Sequence, residues 1–189
     1  MTVIHWVRHG PTGATGMLGH LDREADLSDG AALARLSAAL PEGAPVVSSD
    51  LRRAAATADA IARGRPRLPP DPALREIDFG AWDGLAFEAV EDQALLRRFW
   101  DEPGAVAPPG GESWDAFVAR VAPAVDRLLA LGAPHVIAVA HLGVILAQVQ
   151  RARRLSAYEA FGHRLEPLSV TRVRAAGAAW SVEALGERP

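Results

Sequence analysis

The chain's 189 residues suit one domain, whose core can bury about 70% of the surface the unfolded chain exposes; 49% hydrophobic and 23% charged residues match ordinary globular proteins. It holds no cysteine and no lysine, which excludes disulfides, thiolate metal sites, cysteine nucleophiles, Schiff-base lysines and Walker-type phosphate loops. A net charge of −3 gives no electrostatic footing for nucleic acid, and Arg151, Arg153 and Arg154 read as a solvated helix end.

Met1–Val7 is apolar apart from a break at His5 and carries neither a basic leader nor a small-residue cleavage site, so a cytoplasmic location is expected. No apolar run reaches membrane-spanning length. Val3–Val7 reads as a buried strand running into Arg8-His9-Gly10. A helix follows over Ala31–Leu40, then a second strand, Val46–Val47, before Ser48. The next helix, Leu51–Arg63, places Leu51, Ala54, Ala58, Ile61 and Ala62 on one face, with Ser49 or Asp50 as its cap. Helical spacing is also read over Leu85–Trp100. In Trp114–Leu131, Trp114, Phe117, Val118, Val121, Val125, Leu128 and Leu129 form a core stripe, Ser113 caps the start and Pro123 predicts a kink. Val136–Ala140 is a third strand, ending at His141, and Val144–Arg154 a further helix. Ser169–Arg174 and Trp180–Ala184 alternate around the turn Ala175–Ala179, the pattern of an antiparallel hairpin.

This order predicts an α/β fold, a three-layer α/β/α sandwich with a mainly parallel sheet and an antiparallel C-terminal edge, built as one domain over 1–189. Ligands of such sheets bind outside the carboxyl ends of the strands, which points to Arg8-His9-Gly10, to Ser48 through Arg53, and to His141-Leu142-Gly143. In isolation the first is a surface turn and His141 an ordinary core histidine. Together, two histidines and two or three arginines at one sheet edge make a small cationic pocket. Arginine's planar fork matches phosphate oxygens, and a neutral imidazole is a nucleophile toward phosphorus. Clustered positive charge would depress the His9 pKa and keep the ring neutral.

These residues resemble the histidine phosphatase superfamily, also called the phosphoglycerate mutase-like family. Six blocks carry the resemblance in order: Arg8-His9-Gly10-Pro11-Thr12, Leu27-Ser28-Asp29-Gly30, Ser48 through Ala54 with Thr57-Ala58, Leu74 through Gly84, Pro108 through Ser113, and Val139-Ala140-His141. The resemblance implies that His9 becomes a phosphohistidine while Arg8, Arg53 and His141 bind the phosphoryl oxygens. It matches Glu76 to the acid that protonates the leaving oxygen and then helps activate water, with a nearby phosphate dianion raising its pKa. Three departures bear on substrate shape and phosphate affinity: Thr15 stands where asparagine is common, Leu142 where glycine is common, and the loop Gly19–Leu27 is about two residues longer than the common pattern.

Gly111-Glu112-Ser113-Trp114-Asp115 lacks the last glycine of a nucleophile elbow, which argues against a serine hydrolase. His20 and Asp22 have no companion ligands at metal spacing, so neither metal nor other cofactor is expected. His5, His135 and His163 stand outside any motif. The expected activity is hydrolysis of a small phosphomonoester, a phosphorylated metabolite being the partner in place of nucleic acid or membrane, with a homodimer left open. Bacterial phosphatases of this size and layout that act on α-ribazole 5′-phosphate in cobalamin synthesis resemble the chain, which makes that ester the candidate substrate. The segment 85–109 is the expected lid. The alternatives are a phosphoglycerate mutase-type phosphotransferase, whose relatives carry longer chains, and a non-catalytic phosphate-binding domain, for which a nucleophile and an acid would be superfluous.

Overall fold

The computed structural model describes residues 1–189. Strand β1 (Thr2–Arg8) precedes helix α1 (Gly30–Ala39), β2 (Val46–Ser48) and α2 (Arg52–Ala62). Then come α3 (Gln93–Asp101), α4 (Trp114–Ala130), β3 (His135–Ala140), α5 (Leu142–Arg153), α6 (Ala157–Phe161), β4 (Val170–Ala176) and β5 (Ala179–Glu187). Single 3-10 turns lie at Pro72–Leu74, Gly80–Trp82 and Phe87–Ala89.

The strands form one sheet in the order β2-β3-β1-β4-β5, the first three parallel and the last two antiparallel to their neighbours. Its strands alternate between two cores, as a sheet covered on both faces requires. Val7, Val46, Ile137 and Val139 pack with Leu33 and Leu36 of α1 and Ala54, Ala58 and Ile61 of α2. Ile4, Trp6, Val47, Val136, Ala138 and Ala140 pack with Phe99 of α3, Phe117, Val121 and Val125 of α4, and Val144 and Ile145 of α5. The expected three layers and the antiparallel edge are therefore both present. No helix is long and apolar enough to cross a membrane.

Three local expectations need correction, and one short helix was not anticipated. The helix read over Leu85–Trp100 is confined to Gln93–Asp101: Leu85 is drawn out of helical geometry because its carbonyl accepts from Met17 N at 2.9 Å. Asp92 then caps α3 by accepting from Leu95 N, while the Gln93 amide binds the carbonyls of Phe87 and Val90 and holds the preceding 3-10 turn. Neither Ser49 nor Asp50 caps α2. Asp22, reaching across from another loop, accepts from Arg52 N at 2.8 Å, and Asp50 instead holds Arg75 through two hydrogen bonds. The hairpin turn shrinks to Gly177-Ala178, with Gly177 at φ 57°, the conformation that a tight two-residue loop assigns to glycine. Helix α6 had no periodic signal over its five residues, although Ser156 and Glu159 form a reciprocal capping box. As expected, Ser113 caps α4, which continues through Pro123.

Candidate active site

Parallel pairing places Arg8 opposite Ala140, so the residues that leave these two strands, His9 and His141, emerge side by side. Their ring centroids are 5.1 Å apart. Both rings are buried, and their hydrogen bonds give them opposite tautomers. His9 Nδ1 lies 2.7 Å from the Gly10 carbonyl, which can only accept; Nδ1 therefore carries the proton and Nε2 keeps its lone pair. His141 Nδ1 accepts from Arg53 Nε at 3.2 Å, so its Nε2 is the protonated nitrogen, a buried donor with no partner. A lone pair and an N–H donor thus occur in neighbouring rings.

Burial holds the His9 pKa down at about 3 from an ordinary 6.5, the Gly10 carbonyl opposing this and Arg53 and Arg8 adding to it. The expected depression is present, but desolvation, more than positive charge, is its main cause. His141 is likewise held well below the usual histidine range, first by burial and then by the charge of its neighbours.

Arg53 is completely buried, whereas its neighbour Arg52 is exposed. Besides His141, Arg53 donates to the carbonyls of Leu21 at 3.0 Å and Gly19 at 2.6 Å. Arg8 donates through one terminal nitrogen to the Leu165 carbonyl, and its buried Nε is unpaired. Thr57 ties α2 to the first strand's exit: its hydroxyl accepts from Gly10 N at 3.0 Å and donates to the Arg53 carbonyl at 2.6 Å.

Glu76 reaches this cluster from the loop after Pro72–Leu74. Its carboxylate accepts from Gly143 N at 3.1 Å and from Ile77 N at 3.0 Å. Burial raises its pKa, outweighing these hydrogen bonds and the nearby Arg53 and Arg8. The group is therefore biased toward the protonated form before any phosphate is near. Its backbone carbonyl accepts from Arg120 at 3.0 Å and lies 3.0 Å from His20 Nε2, and Arg120 is itself fixed by Glu112 at 2.7 Å. His20 is thus engaged with the Glu76 loop, and its Nδ1 is 3.6 Å from Asp78.

A pocket of about 380 Å³ opens above these groups, and its wall includes Arg8, His9, Glu76, Thr15 and Leu142. Arg53 and His141 lie behind that wall. The expected lid contributes Ala86, Phe87, Glu88 and Trp100. Sequence reasoning missed the supporting groups: Gly143, Thr57, Asp83 and Glu112 lay inside quoted motifs without an assigned part, while Arg120 had no sequence signal.

The sequence pattern of the histidine phosphatase superfamily (branch 1) matches residues 4–188. A bifunctional protein of Mycobacterium tuberculosis is 46% identical over 88 residues, which are 46% of this chain and 24% of that protein; the chain spans about a quarter of the length of such relatives. A glucosyl-3-phosphoglycerate phosphatase of Mycolicibacterium vanbaalenii is 37% identical over 159 residues, 75% of this chain and 69% of the relative. The crystal structure of an α-ribazole phosphatase from Shigella flexneri shares the fold at TM-score 0.83 and 22% identity, covering 99% of this chain and 97% of that one.

Proposed function

The chain belongs to the histidine phosphatase superfamily, and from that premise we propose that it hydrolyses a small phosphomonoester through a phosphohistidine on His9. The observation that carries this reading is the tautomer pair: a buried, neutral His9 with a free Nε2 lone pair beside a His141 whose Nε2–H has no partner. An anion binder needs donors only; a lone pair held among donors suits attack on phosphorus.

In this mechanism His9 Nε2 attacks phosphorus and the ester P–O bond breaks, the departing alkoxide taking its proton from Glu76. Arg8 Nε and His141 Nε2–H supply donors to the phosphoryl oxygens, and Arg53 adds positive charge while holding the His141 tautomer. Water then gives a proton to the Glu76 carboxylate and attacks phosphorus, and the P–N bond breaks to release phosphate. No step requires a metal. The motif layout favours α-ribazole 5′-phosphate as substrate, whereas the 37% identical relative is named for glucosyl-3-phosphoglycerate.

The test is to quench the enzyme during turnover of a labelled phosphomonoester in chelator. An acid-labile, base-stable phosphoryl label is expected on the enzyme and absent from His9→Ala. Label retained by that variant, or activity restored only by an added divalent ion, would refute the mechanism.

A further inference from the structure

The charges around the pocket are unevenly placed. Arg8, His9 and Glu76 cluster where the phosphoryl group would be handled, and beyond them the only charged residue of the wall is Glu88. No cation stands there to meet a second anionic group on a substrate. Among the uncharged residues of the wall, Phe79, Phe87 and Trp100 are aromatic; Phe87 is 50% exposed and rests edge-on against Trp100, with ring centroids 5.6 Å apart. Trp100 also carries a buried Nε1–H without a partner. Behind it a smaller apolar recess of about 110 Å³ shares Phe79, Trp100 and Leu142 with the main pocket.

From this arrangement we propose that the site selects phosphomonoesters whose alcohol carries an aromatic ring and no anionic group, the ring lying against Phe87 and Trp100 while Glu88 disfavours carboxylate-bearing esters. The proposal rests on the phosphatase reading, which fixes the phosphoryl end of the substrate at His9. An aromatic group covers the exposed Phe87 ring and gains stacking or edge contacts. A carboxylate in the same place loses hydration without a cationic partner and shares the pocket with the Glu88 carboxylate. The name of the glucosyl-3-phosphoglycerate phosphatase relative therefore does not carry over its substrate chemistry to this chain.

Benzyl phosphate and 3-phosphoglycerate test the selection, because both leave as alkoxides and lean on Glu76 alike; 4-nitrophenyl phosphate serves as the control for phosphatase activity. The wild type should favour benzyl phosphate in kcat/KM by about tenfold or more, the scale on which apolar pockets discriminate. Phe87→Ala should reduce that ratio by weakening benzyl phosphate, and Glu88→Gln should reduce it by improving 3-phosphoglycerate. A wild-type ratio at or below one, or a ratio that fails to fall in either variant, overturns the proposal when 4-nitrophenyl phosphate is still hydrolysed. Failure to hydrolyse all three esters overturns the phosphatase reading, and this selection with it.

Discussion

The acid part proposed for Glu76 depends on where its carboxylate stands, and a glycine keeps it there. A Cβ at position 143 would clash with Glu76 Oε1, so Gly143 is required for close approach and its N–H for the grip on the carboxylate. Glu76→Gln keeps the size of the side chain but cannot deliver a proton. It should slow phosphoenzyme formation from alkyl phosphates by ~10²–10⁴-fold and from nitrophenyl phosphate only mildly, since nitrophenolate leaves without help. Gly143→Ala should give the same substrate-dependent pattern by displacing an intact acid. Single-turnover rates check both variants; equal losses on the two esters would mean that Glu76 positions phosphate instead of protonating the leaving group. Glu76 was legible because it sits in a recognisable block. Gly143 was visible as a strand-exit residue, but its bond to a side chain 67 positions away was not.

The relevant element is the 19–22 loop, which links three parts of the site. Asp83 accepts from Gly19 N at 2.8 Å and Leu21 N at 2.7 Å, orienting the two carbonyls that hold Arg53, and Asp22 in the same loop caps α2. Asp83→Ala removes both acceptors and should destabilise the fold by about 2–3 kcal/mol, in the range for hydrogen bonds to charged groups. It should also weaken inhibition by inorganic phosphate through the looser Arg53. Unlike Glu76→Gln, its rate loss should be similar for alkyl and nitrophenyl esters. Denaturant unfolding, phosphate inhibition and the two rates separate this positioning part from proton transfer. The segment after Asp83 shows why the sequence misplaced a helix: apolar spacing over Leu85–Trp100 suits helix, but pairing of Leu85 with Met17 and the Asp92 cap restrict it to Gln93–Asp101.

Across the whole molecule, three buried histidines make stability depend on pH. His5 is held at about 4 and His9 at about 3, chiefly by burial, and His141 is also well below 6.5. As pH falls below 6.5 the unfolded chain takes up protons that the folded chain refuses, so stability is lost from 6.5 down through these folded values. Each such proton costs about 1.4 kcal/mol per pH unit. Glu76, raised by burial, acts in the opposite sense, gaining its proton in the folded state first as pH falls. Unfolding free energy should therefore drop by a few kcal/mol between pH 7 and 5, and His5→Gln, in the middle of β1 and outside the site, should lower the slope by close to one proton. Denaturant midpoints at several pH values check this; a flat profile would contradict the buried neutral histidines.

The sequence by itself determined what depends on neighbours along the chain: the alternation that covers both faces of the sheet, the strand ends that carry His9 and His141, and the helix stripe of α4. Family motifs in order also pointed to Arg8, Arg53 and Glu76. Only the tertiary structure decided the His9 and His141 tautomers, the hold of Gly143 on Glu76, the Arg120–Glu112 support beneath it, and the aromatic wall with its single Glu88. The division has a physical reason. Periodicity and capping are local preferences written into adjacent residues, whereas a proton's place on a ring or a burial-shifted pKa depends on which distant groups the packing brings within about 3 Å and how much water it removes.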